Sequence, residues 1–298
     1  MKVTANGLQI EVDVQGPPQG DPLLLIMGLG MPLLGWPEEL VAELVTHGFR
    51  VIRFDNRDIG LSQGFEAQGV PSLLRATLRY ALHLRVQSPY TLADMGLDAL
   101  GVLDALGVAR AHVCGASMGG MIAQHLAVHH ADRVKSLTLV MTTSGARNLP
   151  QPSMATRQAL LKRPRSAAVS DVVAHLETLI HRIGSPGYRP DPQRQRARLE
   201  QMVRRAWRPD GAARQVLAIA ADGDRSRLLP RINAPTQVIH GEADPLIPVA
   251  AAHDLRRKIA GAELDTIAGM GHDLPLALMP RLAAGIAGNA ARFPAKAG

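Results

Sequence analysis

A single cysteine in 298 residues leaves nothing to form an internal disulfide and suits a reducing cytoplasm. That residue, Cys114, falls inside an apolar run, where it reads as a small core side chain rather than a reactive thiol. Aromatic residues make up only 3%, too few to furnish the stacking platforms of a nucleic-acid surface, and no motif of that kind is present. No apolar run approaches the ~18 residues of a membrane-spanning helix. The opening Met1-Lys2-Val3-Thr4-Ala5-Asn6-Gly7 lacks the basic-then-apolar layout of a secretory leader, so none is expected. Internal repeats and extended low-complexity segments are missing. Lysine is scarce as well, supplying five of the 33 basic residues.

What is present is enough apolar sequence, 46%, for one large domain or one domain with an insertion. The net charge of +7 is uneven: Ser144 to Pro235 carries 17 Lys+Arg against 7 Asp+Glu. The plain reading of that excess is a set of solvated helical faces. The functional reading is attraction of anionic substrates.

Residues 3–14 read as a β-hairpin, with Asn6-Gly7 suited to a two-residue type I′ turn. Leu23–Met27, Val51–Asp55, Ala111–Cys114, Leu137–Met141, Thr236–His240 and Leu264–Ile267 are apolar strand runs. Helices are predicted over Glu38–His47, Thr91–Leu106 with Thr91 as N-cap, Met118–His129 and Val249–Ile259. Alternation of this kind implies a mostly parallel sheet with helices on both faces. Ser144 to about Arg231 breaks the rhythm. It is Pro-punctuated and strandless, with helical patches at 153–161, 170–183, 193–206 and 212–221, and reads as a helical insertion above the sheet. Within a second irregular stretch, Phe65 to Tyr90, Leu73, Leu74, Leu78, Ala81 and Leu82 recur at helical spacing.

Chemistry is concentrated at Gly115-Ala116-Ser117-Met118-Gly119, between a strand and a helix. A serine at such a tight turn is exposed at the strand tip, and small neighbours let strand and helix approach. Its hydroxyl needs a base. His125, His129 and His130 lie on the following helix, His175 and His181 in the insertion, and His240 directly before a turn. His272, in Ala268-Gly269-Met270-Gly271-His272-Asp273, follows the last strand at the sheet's carboxyl end. Asp244, in Gly241-Glu242-Ala243-Asp244-Pro245, follows the preceding strand and is the better acid. Glu242 comes too early and points to solvent, and Asp273 adjoins the histidine too closely. An oxyanion would find backbone donors at Met118, on the helix N-terminus, and at Leu29 in Gly28-Leu29-Gly30-Met31-Pro32.

These motifs, in this order, resemble the α/β-hydrolase superfamily along almost the whole chain. Phe54-Asp55-Asn56-Arg57-Asp58-Ile59-Gly60-Leu61-Ser62 is similar to the family's D-x-R-G-x-G-x-S turn, with Asp58 in place of the usual glycine. That variant is similar to a branch that includes aclacinomycin methylesterase-like enzymes. The resemblance implies an eight-stranded α/β-hydrolase fold, with a core of 1–143 and 232–298 and a helical cap over 144–231. It implies that Asp55, Arg57 and Asp58 organise their loop rather than catalyse. Met27 stands where relatives often carry a histidine, without consequence for a backbone donor. The activity implied is cleavage of carboxylic esters, with Ser117 as nucleophile, His272 as base and Asp244 as its orienting acid, through an acyl-enzyme. Gly28, Met31, Trp36 and Met118 are candidates to line the pocket, with plain packing as the alternative for the side chains. No metal or organic cofactor is needed. The partner expected is a small-molecule ester, with no nucleic acid and no membrane span; self-association into a homo-oligomer is left open. Ser117 argues against dehalogenases and epoxide hydrolases of this fold, which use an aspartate nucleophile. Lactonase, carbon–carbon hydrolase, acyltransferase and cofactor-free haloperoxidase chemistry share the same three residues. A ligand receptor on this fold is the non-enzymatic alternative.

Overall fold

Asn6 and Gly7 stand at φ 49° and 75°, the left-handed pair that a type I′ turn requires, and fold β1 (Lys2–Ala5) back on β2 (Leu8–Gln15). The computed structural model describes residues 1–69, 72–82 and 84–294. After the hairpin come β3 (Asp21–Ile26), α1 (Glu38–Thr46), β4 (Phe49–Phe54), α2 (Leu73–Ala81), α3 (Leu92–Ala105), β5 (Ala111–Ala116), α4 (Met118–His129) and β6 (Val134–Val140). Four helices follow without a strand: α5 (Met154–Leu161), α6 (Val169–Ile183), α7 (Pro192–Arg205) and α8 (Pro209–Asp222). The chain then returns to the sheet with β7 (Thr236–Gly241), α9 (Ala250–Lys258), β8 (Glu263–Ile267) and α10 (Met279–Ala291).

The eight strands form one sheet in the order β1-β2-β4-β3-β5-β6-β7-β8. Only β1–β2 and β2–β4 pair antiparallel; every other pairing is parallel. Along β3 the period of two is visible in the burial. Leu24 and Ile26 join a core shared with α3 and α4, while Leu23 and Leu25 join a second core under α1 and α10. Both faces are covered, which is why these strands read as continuous apolar runs. Cys114 is fully buried in the second core, and burial pushes its thiol pKa up. At the start of α3, Thr91 Oγ1 accepts from the Asp94 amide at 3.1 Å while Asp94 Oδ2 accepts from the Thr91 amide at 2.8 Å, a capping box.

The inserted helices meet the rest of the chain through arginines. Arg214 Nε and Nη2 each donate to the Asp58 carboxylate at 2.8 Å. Arg198 Nη2 donates to the Leu34 and Gly35 carbonyls at 3.0 and 2.7 Å, and Arg225 donates to Gln124 Oε1 and the Thr143 carbonyl, both at 3.0 Å. The segment leaves and returns through a narrow neck. The Arg225 amide donates to the Ser144 carbonyl at 2.8 Å, and a Cβ on Gly145 would overlap the Gly223 carbonyl. Part of the Arg excess therefore points inward, onto loops of the core. The predicted helix near Leu73 is present as α2, but its leucines are not core: Leu74 and Leu78 are 81% and 59% exposed. Its closest helix neighbour is α8, and nothing among the described residues covers the outer stripe. Among those residues no helix is long and apolar enough to cross a membrane.

Candidate active site

Ser117 directly follows β5 and is the N-cap residue of α4, with φ 54° and ψ −120°, a conformation costly by about 1–3 kcal/mol for a residue with a Cβ. Its surroundings impose it. The Ser117 amide donates to the Val140 carbonyl at 2.9 Å, and its carbonyl accepts from Thr142 Oγ1 at 2.6 Å and from the Gly120 amide at 3.0 Å. A Cβ on Gly115 would overlap the Gly119 carbonyl, and one on Gly119 would overlap the Ile26 carbonyl. The small residues around the serine are thus required by the crossing of β5, α4 and β3.

His272 lies on the loop after β8. Its backbone amide donates to the Ile183 carbonyl at 2.7 Å, fixing the loop to the end of α6. Its Nε2 is 3.0 Å from Ser117 Oγ and its Nδ1 is 2.7 Å from Asp244 Oδ2. Asp244, after β7, uses Oδ1 to accept the Leu246 and Ile247 amides, each at 2.8 Å, which leaves Oδ2 for the imidazole. With Nδ1–H donating to the carboxylate, Nε2 presents its lone pair to the Ser117 hydroxyl. Both partners of Ser117 are nearly or fully buried, so water does not compete for these bonds.

The other candidates go elsewhere. Glu242 is exposed and accepts from Thr266 Oγ1 at 2.9 Å. Asp273 turns to the insertion, accepting from the Ser185 amide at 3.0 Å and from the Ser185 hydroxyl; burial raises its carboxyl above the usual range. His240 is fully buried and donates from Nε2 to the Ile247 carbonyl at 2.7 Å, bracing the turn that presents Asp244. Burial lowers its pKa and favours the neutral ring. Among the described residues no three His, Cys, Asp or Glu side chains gather to hold a metal ion.

Gly28 brings its loop against Ser117: a Cβ there would sit 3.1 Å from Ser117 Cβ. Asn56 Nδ2 donates to the Met27 carbonyl at 2.9 Å, the Leu33 amide to Asp55 Oδ1 at 2.7 Å, and the Gly30 amide to Gln215 Oε1 at 2.9 Å. Leu29, between these anchors, packs its side chain partly against the first core. Met118 opens α4, so its amide belongs to the first turn, which has no carbonyl partner within the helix. The Met118 side chain is fully buried in the first core, and Trp36 is 1% exposed in the second, packed with Leu40 and Leu44. Met31 is half-buried at the edge of the second core.

The turn after β4 organises this loop. Asp55 Oδ2 accepts from the Leu61 amide at 2.8 Å and pairs with Arg205 Nη1 at 2.7 Å, and Arg57 forks onto Asp98 with two bonds of 2.6 Å. Asp58 takes φ 72° and receives Arg214, the Tyr90 hydroxyl at 2.7 Å and the Phe65 amide at 2.7 Å. Sequence reasoning passed over Arg214, Gln215 and Ser185. The one available signal was Asp58 itself, since an acid replacing a glycine in a buried turn calls for a cation.

A sequence profile of the family described as alpha/beta hydrolase fold matches residues 21–276. The chain is similar to the rhodomycin D methylesterase DauP of a Streptomyces species, with 31% identity over 292 residues covering 91% of each chain. It is also similar to 3-oxoadipate enol-lactonase 1 of Acinetobacter baylyi, 24% identical over 267 residues, 90% of this chain and 88% of that one. Among solved structures, the enol-lactonase from Burkholderia xenovorans LB400 superposes with a TM-score of 0.73 at 25% identity, covering 98% of this chain and 99% of that chain.

Proposed function

The chain belongs to the alpha/beta hydrolase fold family and is an esterase-type hydrolase, and from that premise we propose that Ser117, His272 and Asp244 are its catalytic triad, acting on a carboxylic methyl ester. The observation that carries this reading is the unbroken pair of hydrogen bonds, 3.0 and 2.7 Å, from Ser117 through His272 to Asp244. The methyl ester is supported by the methylesterase relatives, which match over 91% of both chains.

Ser117 Oγ attacks the ester carbonyl carbon as His272 Nε2 takes its proton. Asp244 stays ionised and stabilises the imidazolium. The carbonyl oxygen becomes an oxyanion and receives the Leu29 and Met118 amides. Collapse breaks the carbon–oxygen bond to the leaving group, which takes the proton from His272 and departs as methanol. A water, deprotonated by His272, then attacks the acyl-enzyme and releases the carboxylic acid and Ser117. No metal or organic cofactor enters these steps. The inserted helices, residues 144–231, serve as the cap over the site in this reading, with Gly28 and Met31 beside the acyl group. A reducing cytoplasm is the setting proposed, on the strength of the single buried Cys114.

The test uses purified protein with short p-nitrophenyl and methyl esters. Ser117→Ala is expected to lose at least ~10³-fold in kcat, as removal of a nucleophile does in other triads. A fluorophosphonate is expected to label wild type on Ser117 and leave the variant unlabelled. Equal turnover by both proteins would remove Ser117 from the mechanism.

A further inference from the structure

Gln215 lies on α8, is fully buried, and bridges two main-chain groups that belong to different loops. Its Oε1 accepts the Gly30 amide at 2.9 Å, and its Nε2 donates to the Arg57 carbonyl at 2.9 Å. The amide has only one workable orientation, because the flipped one sets donor against donor and acceptor against acceptor. The adjacent Arg214 locks the same turn of α8 onto Asp58. The helix also lies directly on the loop, since a Cβ on Gly30 would touch Ala212 Cβ at 3.3 Å.

The loop that Gln215 holds has one internal restraint, a long hydrogen bond of 3.4 Å from the Met31 amide to the Gly28 carbonyl. Gly28 and Gly30 flank Leu29, and Gly30 stands at φ 69°. Such a stretch can rotate its peptide planes at small steric penalty. Asn56 fixes the Met27 carbonyl upstream, and the downstream amide is fixed by Gln215. Between those anchors lies the peptide that carries the Leu29 N–H. We propose that Gln215 is a positioning residue that aims the Leu29 N–H at the oxyanion, so that the insertion, and not the core alone, completes the oxyanion site. The proposal rests on the serine-esterase reading above.

The experiment compares wild type, Gln215→Met, Gln215→Glu and Ser117→Ala. Methionine keeps the volume and removes both hydrogen bonds, whereas glutamate keeps an acceptor for the Gly30 amide. Gln215→Met is expected to lower kcat about 10- to 100-fold with KM changed less than about twofold, since a donor used only in the transition state is misaimed. Affinity for a trifluoromethyl ketone, which forms an oxyanion when Ser117 adds to it, is expected to fall in parallel with kcat/KM. Gln215→Glu keeps the Gly30 bond but sets an acceptor against the Arg57 carbonyl unless it is protonated, and is expected to recover part of both. Thr91→Ala, whose side chain bonds only Asp94 within the α3 cap, supplies a variant of modest destabilisation with unchanged kcat. Should Gln215→Met fail to fold, Gln215→Asn is read instead, with the same expected losses because its amide falls one methylene short. An unchanged kcat, or a lower kcat with unchanged ketone affinity, overturns the proposal. Retained turnover in Ser117→Ala would instead overturn the esterase reading, so the two failures are told apart.

Discussion

Asp58 stands at φ 72°, where a glycine would be relaxed, and three donors hold it there. Burial alone would raise its carboxyl; Arg214, the Tyr90 hydroxyl and the Phe65 amide outweigh that and hold it below its ordinary 3.8. Replacing it by the glycine common in this turn therefore relaxes the backbone and still destabilises the protein. Asp58→Gly strands a buried guanidinium, and the expected loss is about 3–5 kcal/mol in urea unfolding. Adding Arg214→Met to that variant restores part of the loss, a coupling that a double-mutant cycle reads directly. The pH dependence has a definite sign. A depressed carboxyl contributes stability that is fully present above 3.8 and is lost as pH falls through its lower folded value. The gap between wild type and Asp58→Gly is thus expected to be flat from neutral pH down to about pH 5 and to shrink below 3.8. A gap that is the same at pH 3 and pH 7 would count against the pair. At this scale the Ser117 turn was legible, because a strained turn demands small neighbours in a fixed pattern. Gln215 was not, because its partners are main-chain groups at Gly30 and Arg57, and a backbone amide leaves no trace in residue identity.

Helices and strands were legible wherever burial has a period. The stripes of α6 and α7 follow from which face meets a neighbour, whereas β3, covered on both faces, was legible as a continuous apolar run. The same period reports α2, where leucines at helical spacing do form a helix, one whose outer stripe has no neighbour among the described residues. Spacing reports the element and leaves open what it packs on. Capping was legible too, since Thr91 and Asp94 carry both halves of a reciprocal bond. Thr91→Ala is expected to cost about 1 kcal/mol of stability. For a chain of this size that corresponds to about 2–4 °C in Tm by calorimetry, with kcat for ester cleavage unchanged. A fall in kcat would mean that α3 communicates with the site through Arg57, which forks onto Asp98 one turn further on.

Across the whole molecule, the uneven charge was legible but its use was not. Arg194, Arg196 and Arg204 pair with Glu39, Glu177 and Glu200, while Arg198, Arg214 and Arg225 are taken up by core loops. Composition records the excess of arginine and nothing of the partners that neutralise it. Other basic residues of the segment, among them Arg147, Arg163, Arg165 and Arg189, are exposed, where salt screens them. The kcat/KM for an ester bearing a carboxylate is expected to fall less than about tenfold between low and physiological ionic strength, and a neutral ester to show no trend. A hundredfold fall would place uncompensated arginines at the mouth.

The neck between Ser144 and Arg225 carries a further consequence, for descent rather than for chemistry. A segment that departs and returns at one point is a natural unit of recombination, and its length is constrained only weakly by chain entropy. Here, however, the exchangeable unit is not self-sufficient. Arg214 answers an aspartate, and Gln215 answers two loop peptides, that lie on the other side of the crossover points. A donor segment inherited without those two residues would arrive in a host with an unanswered Asp58 and a loosened glycine loop. A chimaera whose segment lacks those two residues is therefore expected to be less stable than one that carries them.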